Sequence, residues 1–325
     1  MKRTIRYTKR ITIPLTRECS NNCLYCGFKK KNSKLVSLSQ VKAILGLAKD
    51  QECTEIRLMS GTNLHLKEGF KEQLLEHNVS TLAQYAYVIA NMVLNYGFIP
   101  VLEIGLLNIS ELKILRNVAA NIYLLLECKD EKNGFTSYKD RKYYLQMLRD
   151  GGKLKIPFTT GIVVGLGETQ EERFNIVSRV TKIYEQYGHI QEFVIQGYIL
   201  NEHTRLPLQN FLTIKELREL YLFIREKMPD VAIQVQPNTI EFWPDLIKLG
   251  ADSIGGISEE IDYVVPRYNE EEMENLNLNL KKLGCKLQKE LPLTIKFYQL
   301  GLYSSVIANV LSFWLEDKRY KFYHK

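Results

Sequence analysis

Three cysteines stand close together near the start of the chain, in the stretch "RECSNNCLYCGF". Cys19, Cys23 and Cys26 form the pattern CxxxCxxC, and clustered thiolates of this kind are ligands for zinc or iron. A structural zinc ion needs four ligands in a closed tetrahedron, and no partner cysteine pair stands nearby. A [4Fe-4S] cube held by three thiolates leaves its fourth iron open to another ligand. The spacing therefore favours such a cluster over a zinc knuckle with a distant fourth ligand.

Two neighbours of these cysteines suit the same chemistry. Tyr25 would shield a cluster from solvent, and Gly27 would let the backbone approach a ligand on the open iron closely. Elsewhere, Cys53 precedes a predicted strand and is expected to be a buried thiol. Cys128 follows a predicted strand, where it could relay a hydrogen atom or help to hold a second cluster. The alternative is that Cys128 is a plain structural cysteine.

The cellular compartment bears on all six cysteines of the 325-residue chain. The basic N-terminus, "MKRTIRYTKRITIPLT", lacks the uninterrupted apolar core of a secretory signal, so we expect a cytoplasmic protein with reduced thiols. The apolar run from Phe297 to Leu315 is interrupted by Gln299, Asn309 and three serines, which favours a buried helix over a membrane span. We therefore predict metal or redox chemistry rather than a disulfide framework, and no membrane partner.

Short β-branched runs alternate along the chain with stretches of helical periodicity. The predicted strands are Ile11–Leu15, Glu55–Met59, Ile99–Leu102, Ile122–Leu126, Thr159–Val164, Glu192–Gln196, Ala232–Val235 and Ser253–Ile254. The predicted helices are Ser37–Lys49, Thr81–Asn95, Ser110–Asn117, Tyr138–Arg149, Gln170–Tyr187, Ile214–Lys227 and Ile240–Lys248. This alternation predicts an α/β fold, a complete eight-stranded parallel (β/α) barrel of the TIM type spanning residues 1–268. Residues 269–325 are expected to form a helical extension packed on it.

Barrel enzymes place their chemistry at the carboxyl ends of the strands, and the polar signals of this chain fall there. The cysteine loop follows the first predicted strand, and "LMSGT", with Gly61 and Thr62, closes the second. Glu127 and Cys128 close the fourth, and Gln196 ends the sixth. Because these local features converge on one rim, we expect them to form one site.

The cysteine motif after the first strand of a barrel resembles that of radical S-adenosylmethionine enzymes. A second match is "GIVVGLGE", in which Gly161, Val163, Gly165 and Glu168 fit the family pattern GxIxGxxE beside the cofactor's adenine. The alternative for this stretch is an ordinary strand and glycine turn, with Glu168 near the positive end of the next helix. The resemblance implies a [4Fe-4S] cluster on the three cysteines and S-adenosylmethionine as the second cofactor.

Longer blocks narrow the resemblance to one family. "RITIPLTRECSNNCLYCGFK", "LKIPFTTGIVVGLGETQEER", "YGHIQE" and "IGGISEEIDYVVP" are similar to the radical enzymes that make 7,8-didemethyl-8-hydroxy-5-deazariboflavin. The resemblance implies hydrogen abstraction from a tyrosine–diaminouracil adduct, followed by ring closure with loss of ammonia. It also implies an electron donor such as ferredoxin or flavodoxin. Gly61, Thr62 and Gln196 are expected at the cofactor. Glu127 ends an apolar strand at the rim, where it is either solvated or bound to a ligand, and we expect it to bind the cofactor's ribose hydroxyls.

The chain departs from this family at several positions. Thr62 stands where an acidic residue usually holds the methionine ammonium, and Val101, Cys128 and Gly197 stand where polar residues are usual. Such changes fit either a diverged member with another substrate or a fast-drifting orthologue. If they weaken the hold on the adduct, deazaflavin formation is expected to be slow while cleavage of S-adenosylmethionine is retained.

Two other classes of function stay open at this point. One is a radical enzyme acting on RNA or a peptide, and the other is a non-catalytic zinc-binding protein. A separate RNA-binding domain is not visible in the sequence, so we expect no nucleic-acid partner. The net charge of +7 includes the run "KKKNSK" at residues 29–34, which is either a solvated loop or an attraction for anionic molecules or RNA.

Overall fold

Ten parallel strands form one sheet in the computed structural model, which describes residues 3–128, 141–200, 204–207, 212–260 and 267–316. The strands are β1 (Arg3–Tyr7), β2 (Arg10–Thr16), β3 (Glu55–Ser60), β4 (Ile99–Glu103), β5 (Asn121–Glu127), β6 (Phe158–Val164), β7 (Ile190–Gly197), β8 (Ala232–Val235), β9 (Ser253–Ile254) and β10 (Cys285–Lys289). All eight predicted strands are present, as β2 to β9.

Strands β2 to β9 lie side by side in chain order, which confirms the predicted barrel topology. A parallel bridge between Lys9 and Ile257 joins the start of β2 to the segment after β9. In this bridge the Arg10 amide donates to the Ile257 carbonyl at 2.9 Å, and the Ile257 amide donates to the Thr8 carbonyl at 2.8 Å. These bonds close the sheet on itself, so the loops after the strands meet at one end.

The helices alternate with the strands along most of the chain, and the last two follow β10. They are α1 (Leu38–Asp50), α2 (Phe70–Glu76), α3 (Leu82–Asn95), α4 (Ile109–Leu115), α5 (Arg141–Lys153), α6 (Gln170–Tyr187), α7 (Ile214–Lys227), α8 (Trp243–Leu249), α9 (Glu270–Lys282), α10 (Ile295–Gln299) and α11 (Ser305–Glu316). Six of them begin with a capping box, in which the N-cap side chain and the third helical residue bond each other's backbone; the N-caps are Ser37, Thr81, Asn108, Thr169, Thr213 and Asn269. These caps end the loops that carry the polar signals. The predicted start of the fourth helix, at Tyr138, lies outside the described residues.

The C-terminal extension is not purely helical, in contrast to the prediction. Strand β10 pairs with β1 over five residues, from Arg3 opposite Cys285 to Tyr7 opposite Lys289. The expected single helix from Phe297 to Leu315 is divided into α10 and α11, and Phe313 on α11 is 64% exposed. In the described part of the chain, no helix combines the length and the apolar character needed to cross a bilayer.

The extension contacts the barrel at the amino ends of its strands, opposite the predicted site. Trp314 of α11 donates to the carbonyl of Gly97, just before β4, at 2.7 Å. Ser304 donates to the carbonyl of Asn117, before β5, at 2.6 Å. Gln191, at the start of β7, donates to the carbonyl of Pro292 at 3.2 Å. These bonds leave the carboxyl ends of the strands to the loops.

A buried histidine, His189, lies at the same end of the barrel, directly before the start of β7. His189 is 2% exposed and packs edge-on against Phe158 and Tyr187, with ring centroids 5.5 and 6.1 Å away. Burial lowers the pKa of His189 from 6.5 to about 4, because an apolar environment disfavours the charged ring. Between about pH 4 and pH 6.5, the unfolded chain therefore binds a proton at His189 that the folded chain does not.

This histidine is expected to make the fold acid-sensitive. Its contribution to stability is fully present above pH 6.5 and is lost as the pH falls from 6.5 towards 4, by about 3 kcal/mol in all. Denaturant unfolding of the wild type and His189→Gln at pH 7 and pH 4.5 should show a smaller acid loss in the variant. The exposed His65→Gln is the control and should behave as the wild type. An equal acid loss in all three proteins would contradict this role for His189.

Candidate active site

The loop that carries the three cysteines follows β2 and is fixed by its own basic residue. Arg17 donates through Nε to the carbonyl of Phe28 at 2.8 Å, and the Lys30 amide donates to the Arg17 carbonyl at 2.9 Å. Gly61, at the end of β3, lies directly against this loop. A Cβ atom at Gly61 would stand 2.1 Å from the Glu18 carbonyl oxygen and 2.5 Å from the Cys19 Cβ. Only glycine allows the loop to pack so closely on the end of β3.

A cavity of about 160 Å³ opens at this end of the barrel. All three cysteines line it, together with six other residues predicted for the site: Tyr25, Gly61, Thr62, Glu127, Val163 and Gln196. They come from the cysteine loop after β2 and from the carboxyl ends of four strands, β3, β5, β6 and β7. The structure therefore brings together most of the residues that the sequence singled out.

The cysteines themselves line this cavity and form no disulfide bond with one another. Cys23 is buried, Cys19 and Cys26 are half-buried, and the Thr62 amide donates to the Cys19 sulfur at 3.5 Å. Among the described residues no three histidine, cysteine or acidic side chains converge on one ion. A [4Fe-4S] cube makes a different demand, because each thiolate binds a different iron. Three thiols facing one cavity fit that demand.

The charge of the cavity comes from two carboxylates. Glu103 and Glu127 line it, and no Lys, Arg or His side chain is among the described residues that do so. The hydroxyl of Tyr25 donates to Glu127. Thr62 carries no charge, and its hydroxyl already accepts a hydrogen bond from the Leu106 amide at 3.0 Å. The arrangement favours a cationic ligand over an anionic one.

Glu103 is held from inside the barrel by a buried arginine. Arg57 Nη1 lies 3.4 Å from Glu103 Oε2, while Arg57 Nη2 lies 2.8 Å from Glu55 Oε1. The Arg57 guanidinium also stacks on the Tyr123 ring at 4.2 Å. Burial raises the pKa of Tyr123 further above its ordinary value, which already keeps a phenol protonated at neutral pH. Glu103 and Tyr123 thus form a fixed polar floor for the cavity.

Three residues of the predicted adenine motif, Gly161, Gly165 and Glu168, contact other parts of the protein and do not line the cavity. Both oxygens of Glu168 are bonded within the protein, to the amides of Gly165 and Leu166 at 2.8 and 2.7 Å, and Arg173 Nε lies 2.8 Å from Oε1. Glu168 therefore shapes the loop after β6 rather than lining the cavity. Gly165 has a φ of 90°, which that turn requires. Gly161 lets β6 approach β7, because a Cβ there would stand 2.1 Å from the Val194 carbonyl oxygen.

Two further predicted residues do not line the cavity either. The carbonyl of Gly27 accepts from Arg17 Nη2 at 3.3 Å, which ties the loop together. Cys128 is 1% exposed and belongs to the main hydrophobic core. Burial, and secondarily the charge of Glu168, raises the pKa of the Cys128 thiol well above its ordinary value. Its position in the core, away from the residues that line the cavity, does not fit the predicted hydrogen-atom relay or a ligand to a second cluster.

Val101 and Gly197, two of the positions where the chain departs from the family, also do not line the cavity. Val101 is fully buried and packs with Tyr123 and Val194 inside the barrel. A Cβ at Gly197 would stand 2.0 Å from the Thr239 carbonyl oxygen, so this position requires glycine. With Cys128 also in the core, these three departures do not line the cavity, whereas the fourth departure, Thr62, does.

The sequence analysis missed several cavity residues, among them Tyr123 and Leu125 on β5. A signal for them exists, because Tyr123, Leu125 and Glu127 stand two residues apart on one strand. Side chains two apart point to the same face of a strand, and Glu127 was already predicted to face the site. Extending that alternation back along β5 identifies the other two.

Comparison with known proteins agrees with this arrangement. The model of the Radical SAM superfamily matches residues 13–180, from β2 and its cysteine loop into α6. The chain belongs to the radical SAM superfamily. Within that superfamily it is 35% identical over 304 residues to a 7,8-didemethyl-8-hydroxy-5-deazariboflavin synthase of Methanococcus maripaludis, covering 90% of this chain and 92% of that protein. This radical SAM chain is therefore an enzyme of the same family as that synthase.

Solved structures share the fold of this radical SAM enzyme. HydG, a maturase of the [FeFe]-hydrogenase, superimposes with a TM-score of 0.69 at 13% identity, over 96% of this chain and 70% of that one. Methylornithine synthase superimposes with a TM-score of 0.63 at 14% identity, over 88% and 84% of the two chains. At such low identity the likeness concerns the barrel architecture alone.

Proposed function

We propose that this enzyme binds a [4Fe-4S] cluster and S-adenosylmethionine, and that it forms the deazaflavin ring of 7,8-didemethyl-8-hydroxy-5-deazariboflavin. The observation that carries the proposal is the set of cysteines on one cavity, Cys19, Cys23 and Cys26, together with Glu127 and Gln196. The proposal draws its substrate from the synthases that this chain resembles over most of its length. A cysteine trio with an open fourth ligand position is the donor set that such a cluster needs.

The cluster would be held by the three thiolates of the loop after β2. When bound, it supplies the electron that cleaves S-adenosylmethionine to methionine and a 5′-deoxyadenosyl radical. The protein orients the thiolates through the backbone, since the Thr62 amide donates to the Cys19 sulfur and the Ser20 amide donates to the Thr62 carbonyl at 3.1 Å. These bonds couple the first thiolate to the end of β3.

The two carboxylates of the cavity suit the charge of S-adenosylmethionine, which carries a sulfonium and an ammonium. Glu127, which accepts from the Tyr25 hydroxyl, is proposed to bind the ribose hydroxyls. Glu103 is proposed to bind the methionine ammonium, because Thr62 carries no charge. Both residues line the cavity, and Arg57 holds the Glu103 carboxylate in place. Gln196 offers an amide to the same ligand.

The substrate is proposed to be the tyrosine–diaminouracil adduct, with the apolar side chains of Leu125 and Val163 excluding water from the radical. The Tyr123 phenol, which is protonated at neutral pH, can donate a hydrogen bond to a ligand in the cavity. An external one-electron donor such as ferredoxin or flavodoxin would reduce the cluster.

Replacing Glu127 is expected to weaken cofactor binding without loss of the cluster. In Glu127→Ala the hydrogen bonds from the ribose to a charged acceptor are lost, which costs roughly 1.5–3 kcal/mol, about ten- to a hundredfold in affinity. Isothermal titration of S-adenosylmethionine into the anaerobic holoenzyme measures this. The exposed Glu171→Ala on α6 is the matched control and should bind as the wild type. Equal affinities for all three proteins would remove Glu127 from the cofactor site.

Product formation tests the proposed function. The holoenzyme would be incubated anaerobically with reductant, S-adenosylmethionine and the tyrosine–diaminouracil adduct, followed by deazaflavin fluorescence and 5′-deoxyadenosine. Both products are expected. Release of 5′-deoxyadenosine without deazaflavin would indicate a radical enzyme with another substrate. A colourless protein with one bound zinc would contradict the proposal as a whole.

A further inference from the structure

Basic side chains from three segments of the chain lie on the cysteine loop or contact it. We call them the basic rim, and they are Arg17, Lys29, Lys30, Lys31, Lys34, Lys67 and Arg205. Within residues 17–34 there are five basic residues and one acidic residue, Glu18. Glu18 is buried, with Lys67 Nζ 3.4 Å from its Oε2. The outer surface beside the cysteines is therefore strongly positive.

Besides Arg17, which donates to the carbonyls of Phe28 and Gly27, three members of the basic rim are bonded directly to the cysteine loop or its start. Lys29 Nζ donates to the carbonyl of Asn21 at 2.6 Å, between Cys19 and Cys23. Arg205 reaches the same turn from a distant part of the chain, since its Nη2 donates to Asn22 Oδ1 at 2.8 Å and its amide donates to the Leu24 carbonyl at 2.7 Å. Lys67 comes from the segment after β3. These positive charges are thus fixed within a few residues of the thiols.

The other part of the rim faces solvent. Lys30, Lys31 and Lys34 are exposed, and none of them forms an ion pair with a described residue. A solvated lysine run is common on protein surfaces, but here it adjoins three cations that the fold holds against the cysteine loop. Fixed and exposed charges of one sign on one face create a field that attracts partners of the opposite sign.

We propose that the basic rim is the docking surface for an acidic one-electron carrier protein. The proposal rests on the proposed function, because it needs a cluster on Cys19, Cys23 and Cys26. Two of these thiols are half-buried rather than deep in the barrel, so a carrier seated on the rim would stand close to the cluster. In that step, one electron would pass from a flavin hydroquinone of the carrier, which becomes the semiquinone, to the cluster that these three cysteines would hold.

RNA is the other polyanion that such a surface could attract. Single-stranded RNA is usually held by exposed aromatic side chains on which bases stack. In the segments that carry the rim, as far as the structure describes them, Phe28 is buried and Tyr25 is directed to Glu127. Charge without a stacking surface favours an acidic protein.

A charge-reversal experiment tests the docking surface. The double variant Lys30→Glu/Lys31→Glu is compared with Lys281→Glu/Lys282→Glu, an exposed adjacent pair at the end of α9. Both variants change the net charge equally, and only the first lies on the rim. Stopped-flow absorbance would follow reduction of the holoenzyme by an acidic flavodoxin hydroquinone at several salt concentrations, with methyl viologen radical cation as a small reductant. Fluorescence titration with the same flavodoxin measures binding, with or without a cluster.

The rim variant is expected to bind flavodoxin and accept its electron at least tenfold more slowly at low salt, with a flatter salt dependence. Methyl viologen should reduce it as readily as the wild type, and the α9 variant should stay within about twofold of the wild type. Equal slowing of both variants, or of neither, would overturn the proposal. Tighter binding of poly-uridine RNA than of flavodoxin by the wild type, abolished in the rim variant, would assign the surface to RNA. Failure to assemble any cluster, with flavodoxin binding still dependent on the rim, would instead refute the proposed function.

Discussion

Cys23→Ala is expected to abolish both iron retention and cleavage of S-adenosylmethionine, and Cys19→Ala and Cys26→Ala should do the same. The three thiols line one cavity, and a cube with one open iron cannot be held by two thiolates. Iron and sulfide content after anaerobic reconstitution, the visible absorption of the cluster and the release of 5′-deoxyadenosine measure the effect. We expect each signal to fall to background.

The chain offers matched controls for these substitutions. Cys53 and Cys285 are buried free thiols that lie outside the cavity. Cys53→Ala and Cys285→Ala should keep the iron content and activity of the wild type, apart from a small loss of packing. A Cys53 variant that lost its iron as completely as Cys23→Ala would show that the ligands have been assigned wrongly.

Arg173→Met is expected to lower the free energy of unfolding by about 3–5 kcal/mol, since it leaves a buried carboxylate without its cation. Arg173 and Glu168 have side chains only 4% and 0% exposed, and their closest atoms are 2.8 Å apart. Arg173 also donates to the Glu168 carbonyl and to the Gln170 side chain. Denaturant unfolding followed by circular dichroism measures the change.

Two further variants separate the buried charge from the loss of one arginine. Arg179→Met on the same helix removes an exposed guanidinium bonded to Asn175, and it should change stability by well under 1 kcal/mol. Adding Glu168→Gln to Arg173→Met removes the stranded charge, so part of the lost stability should return. If Arg173→Met and Arg179→Met were equally stable, the ion pair between Arg173 and Glu168 would not stabilise the loop after β6.

The barrel was predictable because its strands are covered on both faces. Such strands read as apolar runs, and the runs ending at Leu15, Val164 and Gln196 all proved to be strands. Strands β1 and β10, "RTIRY" and "CKLQK", were missed because each is only five residues long and mixes charged and polar residues among the apolar ones. Their pairing joins residues more than 280 positions apart, and local periodicity carries no information about such a contact.

The candidate site was predictable where a residue type is demanded by ligand chemistry. The cysteines, Thr62, Glu127 and Gln196 fall at strand ends, and the barrel topology brings them to one cavity. Glu168 and Cys128 sit at equally suggestive positions in the sequence, yet side-chain direction decides their role. Glu168 turns back to the amides of its own loop, and Cys128 points into the core. Neither direction follows from spacing alone.

The most direct test of the account is electron paramagnetic resonance of the reduced, anaerobically reconstituted enzyme before and after addition of S-adenosylmethionine. A [4Fe-4S] cluster held by Cys19, Cys23 and Cys26 should give a signal whose g-values change when the cofactor binds the open iron, and isotopically labelled methionine nitrogen should couple to it. A cluster signal that S-adenosylmethionine leaves unchanged, or a protein that binds zinc in place of iron, would contradict the central claim.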